Sequence, residues 1–511
     1  MMVLPYLIII PLLGAFSMPI VSLAGRKARE AWAVLISGAT LAVGSWVFYH
    51  VYENGTILYT LGAKSPLGQG VNFPIRIVWE VDLFGALMVL MVTLVSFMAV
   101  LYSIGYMRHD TGLDKYYALI ITLELGMLGI AITGDLFNFY VFLEIMSIAS
   151  YALVAFRNDT WEGIEAGIKY MFVGSLASSF VLLGIALLYG QYGTLTMGYL
   201  ALKLSESLTI TAKVALALFI AGLLFKSGAS PVHMWLADAH PAAPSSISAM
   251  LSGLVIKIGG LYALARIAFS IYGASVSVKT VGWLIIIFAC ITLIVGNAMA
   301  VIQTDMKRLL AYSSVGQVGY ILLGLGIGLA AYGSQTGEVA LAGAIYHTFN
   351  HALMKALLFL IAGAVIHQLG TRNLNELSGL AKTMPKTTFA FLIGAAAIVG
   401  MPPLNGFASK WLIYESSALF NPVLAAIAVI GTAFCTAAYV RVLYTFFGKP
   451  SEKVMEAKDP EASMLWPMII LTIAIIVMGL FPWQISDKVM IPAAKALENQ
   501  LSYIATLMGG G

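Results

Sequence analysis

An all-α polytopic membrane protein of about fourteen transmembrane helices is what this sequence predicts. Of its 511 residues 60% are hydrophobic and only 10% charged, where a soluble domain carries roughly 25% charged residues. The mean hydropathy of +0.91 is spread along the whole chain, with no polar block long enough to fold alone. Apolar runs of the roughly 20 residues that a bilayer-crossing helix needs recur from end to end. These observations exclude an ordinary water-soluble enzyme and leave no room for an extramembrane catalytic domain.

The smaller composition facts narrow the class further. The net charge is only +4, and the basic residues sit in short loops, so nucleic acid is not an expected partner. Cys290 and Cys435 lie far apart in apolar runs with no C-x-x-C pattern. That spacing argues against iron-sulfur ligation, c-type haem and a disulfide framework, so no cofactor is expected on this chain. The opening run "MMVLPYLIII" lacks a positive leader and is followed by "GRKARE", which reads as a spanning helix rather than a cleaved signal.

Taken in order, the spans begin near Leu4, Ala31, Leu83, Tyr116, Leu136, Glu162, Thr209, Ser245, Thr280, Met306, Val339, Met384, Val423 and Leu465. The longest links run from Glu53 to Glu80, Gly190 to Ser207, Arg372 to Met384 and Lys449 to Glu461, and none is a domain. If the loop holding Arg26, Lys27 and Arg29 is cytoplasmic, alternation places most basic residues inside and both termini outside. The tail after Pro482 is apolar at helical spacing but too polar to span. It is expected to lie along the outer surface or to dock a partner.

Two segments share an unusual pattern: "FKSGASPVHMWL" from Phe225 and "GMPPLNGFASKWL" from Gly400, each Gly/Pro-interrupted and each with a Lys followed by Trp-Leu. Matched interruptions of this kind point to internal repeats. Lys226 and Lys410 are 184 residues apart, as are Lys257 and Arg441. The chain then divides into residues 1–107 (three helices), 108–271 (a first five-helix block), 272–448 (a second) and 449–511 (a last helix and the tail).

An ionisable side chain at the bilayer centre costs about 2.5 to 3.5 kcal/mol on insertion scales, so each needs a partner, a hydrated cavity or a function. Glu124 and Glu144 sit in mid-span, Lys226 at an interruption, and Lys257, Lys355 and Lys410 within later spans. Burial penalises the charged form of carboxylate and ammonium alike. A Glu beside a Lys therefore holds or releases a proton according to whether the pair is closed, which is the physics of a relay. The alternative, a structural pair that fixes helix register, is replaceable by apolar residues at little cost.

In "HTFNHALMKALLFL", His347, His351 and Lys355 are spaced four apart and drift only about 40° per step, so they line one helix face. Histidine titrates near neutrality and can shuttle protons between lysines. A bis-histidine haem needs imidazoles from different helices, and a metal site lacks a carboxylate third ligand, so neither is expected. His233, after the break at Ser230 and Pro231, is either a proton station or a histidine tied to a freed carbonyl. Asp238 reads as a cap or loop anchor. Glu415 lies about 140° around the helix from Lys410 and should not pair with it unless "MPPLNG" distorts the turn.

The motifs "GDLFNFYVFLEIMSIASYALV", "FKSGASPVHMWLADAHPAAPSSISAMLSGLVIKIGGLYALAR", "TDMKRLLAYSSVGQVGY", "HTFNHALMKALLFLIAGAV" and "GMPPLNGFASKW", in this order, resemble the antiporter-like subunit family. That family includes the D-type component of Mrp sodium/proton antiporters, the proton-pumping membrane subunits of respiratory complex I, and counterparts in membrane-bound hydrogenases. The resemblance implies 14 helices in two inverted five-helix repeats, spans 4–8 and 9–13, with spans 7 and 12 broken. It places the family's buried acids on Glu144 and Glu124, its lysines on Lys226, Lys257 and Lys410, and its histidine on His347 or His351. A chain ending after its fourteenth span resembles the D-type component of the Mrp antiporter.

The implied function is proton translocation, with Na+/H+ antiport as a variant, by one subunit of a multisubunit membrane complex of the hydrogenase or related respiratory kind. Other membrane subunits of an Mrp, hydrogenase or complex I-like assembly would be its partners. Redox or hydrolytic chemistry is not expected on the chain itself. The rival readings are a complex I-type quinone oxidoreductase pumping subunit, a self-contained solute permease and a haem- or quinone-binding redox enzyme. The relay candidates are Glu144, Lys226, Lys257, His347, His351 and Lys410, with Glu124, His233, Lys355, Asp238 and Glu415 behind them.

Overall fold

A computed structural model describes residues 3–62, 76–273 and 278–508. The first crossings are α1 (Tyr6–Ser22), α2 (Arg26–Asn54), α3 (Leu83–Tyr106), α4 (Leu113–Ile132), α5 (Leu136–Val154) and α6 (Trp161–Tyr192). A short α7 (Met197–Glu206) precedes α8 (Ile210–Ser227), α9 (Met234–Ala242), and α10 (Ser245–Tyr272). Then follow α11 (Val278–Ile302), α12 (Met306–Ala330), α13 (Gln335–Leu369), α14 (Pro385–Val399), α15 (Asn405–Phe420), α16 (Pro422–Phe446) and α17 (Ala462–Leu480). Among the described residues twelve helices are long and apolar enough to cross a membrane. α1 and α14 are shorter apolar helices, and the expected fourteen spans would require α1 and the interrupted pair α14–α15 to cross as well.

The helices start where the sequence supplies a capping acceptor. Asp82 accepts from the Gly85 amide, Asp135 from Asn138, Thr160 from Gly163, Thr209 from Ala212 and Ser334 from Gly337. Each satisfies one of the amides that a helix N-terminus leaves free, typically stabilising by about 1 kcal/mol. α10 is wholly buried, α12 is buried except at Arg308 and α13 mostly so, which makes them the central column, whereas α2 and α16 bury a minority of their residues and form the rim.

Both expected interruptions are present and built from the same parts. α8 stops at Gly228 (φ 69°) before a cis Ser230–Pro231 bond, and α14 stops at Gly400 (φ 93°) before a cis Pro402–Pro403 bond. A break in mid-membrane frees carbonyls that lipid cannot satisfy. Here protein does so: Trp235 Nε1 donates to Phe225 O at 3.3 Å, and Lys410 Nζ donates to Ile398 O at 2.8 Å and Val399 O at 3.2 Å. The lysine of α15 thus caps the helix preceding it, where a cation is favoured.

Two features are additions to the sequence reading. Within the Glu53–Glu80 link, β1 (Ile57–Gly62) pairs antiparallel with β2 (Arg76–Val81), Ile57 opposite Val81; residues 63–75 of that link lie outside the described residues. Asp82, at the start of α3, holds Arg266 of α10 in a two-pronged ion pair, with Nη1 to Oδ2 at 2.7 Å. Both side chains are 6% exposed.

The tail forms α18 (Ile491–Glu498) and α19 (Gln500–Met508), with Ala493, Ala494, Leu497, Tyr503 and Leu507 buried. It lies across the loop ends on the side where α17 finishes. Gln500 Nε2 donates to Ile271 O at 2.8 Å, Tyr332 OH to Glu498 O at 2.7 Å, and Leu507 abuts Gly134 and Gly198.

Candidate functional site

α5, α8, α10, α13 and α15 bring most of the expected charged residues inward. Lys226, in the last turn of α8, is 7% exposed and donates to Ser147 Oγ of α5 at 2.6 Å. Glu144 stands one turn before Ser147, half-buried, with Oε1 unpartnered and within electrostatic reach of Lys226. Among the described residues no ion pair joins Glu144 to Lys226: the pair expected to open and close is open here, with Ser147 holding the ammonium. Glu124, on α4, is fully buried and neither carboxylate oxygen has a partner.

α10 packs on α8 where Gly260 meets the Ser227 backbone, and on α13 where Gly253 meets Ala352. Lys257, fully buried between these contacts, begins a π-helical turn and donates to Ser252 O. Ser252 Oγ in turn meets Ser314 Oγ of α12 at 2.7 Å. π-helical turns put an extra residue in one turn and are frequent at functional sites. Lys355 of α13, also fully buried, donates to Leu310 O at 2.9 Å and Tyr439 OH at 3.2 Å. Lys257 lies within electrostatic reach of Lys355, His347 and His351.

The helical spacing of the two histidines gives the stacking it implies: ring centroids 5.9 Å apart and planes 1° from parallel. His347 Nε2 faces Gln317 Oε1 at 3.0 Å and Nδ1 faces Ser409 Oγ at 3.0 Å. His347 thus has a neutral partner at each ring nitrogen, an amide on one side and a hydroxyl on the other. His351 is fully buried with both ring nitrogens unpartnered. Ser409 adjoins Lys410, which is 1% exposed and stands 4.6 Å over the Tyr320 ring.

The remaining candidates sit elsewhere. His233 occupies the N-cap position of α9 without a side-chain capping bond, its Nδ1 unpartnered and its ring 6.0 Å from Tyr312. Asp238 takes Lys169 Nζ at 3.0 Å and Arg308 Nη2 at 3.1 Å, anchoring α6, α9 and α12 at one rim rather than joining the row. Glu415 is exposed on α15 and, among the described residues, has no ion pair with Lys410, as the 140° separation implies.

Sequence reasoning missed the neutral partners. Ser147, Gln317, Ser409 and Tyr439 each hold one of the titratable groups, and nothing in their local sequence marks them. His240 and Lys307 are two further buried titratable residues, with His240 stacked on Phe359 at 4.5 Å and Lys307 Nζ donating to Ala243 O at 2.5 Å. Gln317→Leu removes the hydrogen-bond partner of His347 Nε2 where both side chains are fully buried. It should cost about 1 to 3 kcal/mol of stability, read as a lower thermal midpoint in detergent.

The family model described as "NADH:quinone oxidoreductase/Mrp antiporter, TM" matches residues 133–436, and one for "NADH-Ubiquinone oxidoreductase (complex I), chain 5 N-terminus" matches 69–117. The chain is 35% identical over 489 residues to the N component of the NADH-quinone oxidoreductase of Desulforudis audaxviator, covering 91% of this chain and 92% of that one. It is 31% identical to the D component of the Na(+)/H(+) antiporter of Alkalihalophilus pseudofirmus, covering 88% and 90%. Among solved structures, a chain of the membrane-bound sulfane sulfur reductase, an archaeal respiratory membrane complex, superposes with a TM-score of 0.90 at 34% identity over 99% of both chains.

Proposed function

Since the chain belongs to the NADH:quinone oxidoreductase/Mrp antiporter membrane family, we propose that it is the ion-translocating subunit of a multisubunit membrane complex. It moves protons along the row Glu144, Lys226, Lys257, His351 with Lys355, His347 and Lys410. The observation that carries this reading is that buried ammonium and imidazole groups follow one another across α8, α10, α13 and α15, and those that are hydrogen-bonded have neutral partners rather than counter-ions. A group so held can change charge without breaking an ion pair. Closing an opposite-charge pair at 4 Å contributes about 4 kcal/mol at an effective dielectric of 20, close to three pKa units. Closure between Glu144 and Lys226 would therefore bias the proton on the next lysine.

The parent complex is of the respiratory kind, a reading supported by the near-complete superposition on the sulfane sulfur reductase chain. The two interruptions, each a left-handed Gly followed by Pro, favour two five-helix blocks of inverted sense over a single unrepeated bundle. The positive-inside count favours external termini. Sodium/proton exchange enters through likeness to the D component of the antiporter.

Glu144→Gln, assembled in its complex, should lose ion-coupled activity; full pumping in that variant defeats the row. Lys410→Ala should block passage while leaving the carboxyl signal of α5 intact in infrared difference spectra. Loss of that signal would mean the two ends do not act in series. Co-purifying subunits identify the complex.

A further inference from the structure

A second cluster of ionisable groups lies apart from the row, where the tail covers the start of α3. A cavity of 170 Å³ opens there, lined by Glu80 and Asp82 on one side and by Asn499, Ser502 and Thr506 of the tail on the other. The two carboxylates differ in their partners. Asp82 is committed to Arg266 and to the Gly85 amide. Glu80 is 4% exposed and, among the described residues, its carboxylate makes no hydrogen bond or ion pair. Arg266 is balanced by Asp82, so an ionised Glu80 leaves this pocket one negative charge in excess. The nearby cation at the rim, Lys495, is paired with Glu338 at 3.4 Å.

We propose that this cavity binds a small monovalent cation, sodium, which displaces the proton of Glu80 and is held by that carboxylate together with oxygens of Asn499, Ser502 and Thr506. The balance is one cation in and one proton out. The groups facing Glu80 are Asp82 on α3, Arg266 and Tyr262 on α10, and Tyr503 with Lys495 on the tail. Burial and the neighbouring Asp82 push the Glu80 carboxyl up to about 8, against a partial pull from Arg266. At neutral pH the proton is therefore the resident, and the cation must compete with it. Oxygen donors suit a hard cation. The cavity exceeds a bare ion, so the guest keeps part of its water. This site goes beyond the translocation row and does not depend on it.

The full chain in lipid nanodiscs at pH 7, with choline chloride exchanged for sodium chloride at constant ionic strength, provides the test. Sodium should release about one proton to an indicator dye and remove a protonated-carboxyl band from the infrared spectrum. The sodium midpoint should rise about tenfold for each unit that the pH is lowered below 8, because sodium competes with the proton for the same carboxylate. Glu80→Gln should abolish both signals. Ser502→Ala with Thr506→Val should raise the sodium midpoint several-fold while leaving the choline titration of Glu80 unchanged, a check that survives if Glu80→Gln misfolds. Equal proton release on adding potassium, release that persists in Glu80→Gln, or a midpoint unmoved by the hydroxyl replacements would each overturn the assignment.

Discussion

Lys226→Ala is expected to cut ion translocation by at least about a hundredfold, the low end of what one positioned proton-transfer group contributes. The complex should still assemble. The ammonium sits at the broken end of α8, holds one serine hydroxyl at 2.6 Å, and lies between the Glu144 carboxylate and the α8–α10 contact beyond which Lys257 stands. Removing it leaves Ser147 a hydroxyl that still has the Leu143 carbonyl to bond, so the structural loss is small. The functional loss is large because, among the described residues, no other titratable side chain bonds Ser147 at that step. Lys226→Arg sharpens the test. Arginine keeps the charge but does not release its proton in proteins, so it should fail as completely as alanine if the residue carries protons. If it merely supplies a field, Arg should restore pumping. Translocation by reconstituted vesicles containing either variant, followed with a pH-sensitive dye, decides between them, and undiminished flux in both removes Lys226 from the path.

Asp82→Ala should destabilise the fold by about 3 to 5 kcal/mol, the usual cost of leaving one member of a buried ion pair without the other. Arg266 would remain with its guanidinium over the Phe84, Tyr262 and Tyr503 rings, bonded to the Tyr262 and Ser270 hydroxyls and with Glu80 as its nearby carboxylate. The double variant Asp82→Ala with Arg266→Leu should recover most of that loss, since an apolar pair avoids the desolvation altogether. Unfolding midpoints in detergent give both numbers. Because Tyr503 rests on Arg266, the single variant should also expose the tail to proteolysis sooner than the double one.

Span positions were legible because they depend on local chain chemistry alone: α3, α5, α10 and α12 begin at the residues that apolar length selects. The in-span Glu, Lys and His residues were equally legible, because lipid makes each one conspicuous. What the sequence does not carry is adjacency. Ser147 matters because α8 passes beside α5, and Gln317 because α12 faces α13; either could sit on any apolar helix without notice. Asp82 and Arg266, 184 positions apart, show no mutual signal. The hairpin is a different case. "ILYTLG" and "RIVWEV" carry β-branched and aromatic residues, a strand signal that is easy to pass over in a chain dominated by helical length. The π-helical turns around Lys257 have no local signature of their own and reflect the packing of α10 between α8 and α13.

The tail reaches the ends of α4 and α10, the α12–α13 turn and α7, each through its own bond or close contact. The tail is in effect a strap: pulling any one of these ends away from the others means breaking a tail bond or opening a tail contact.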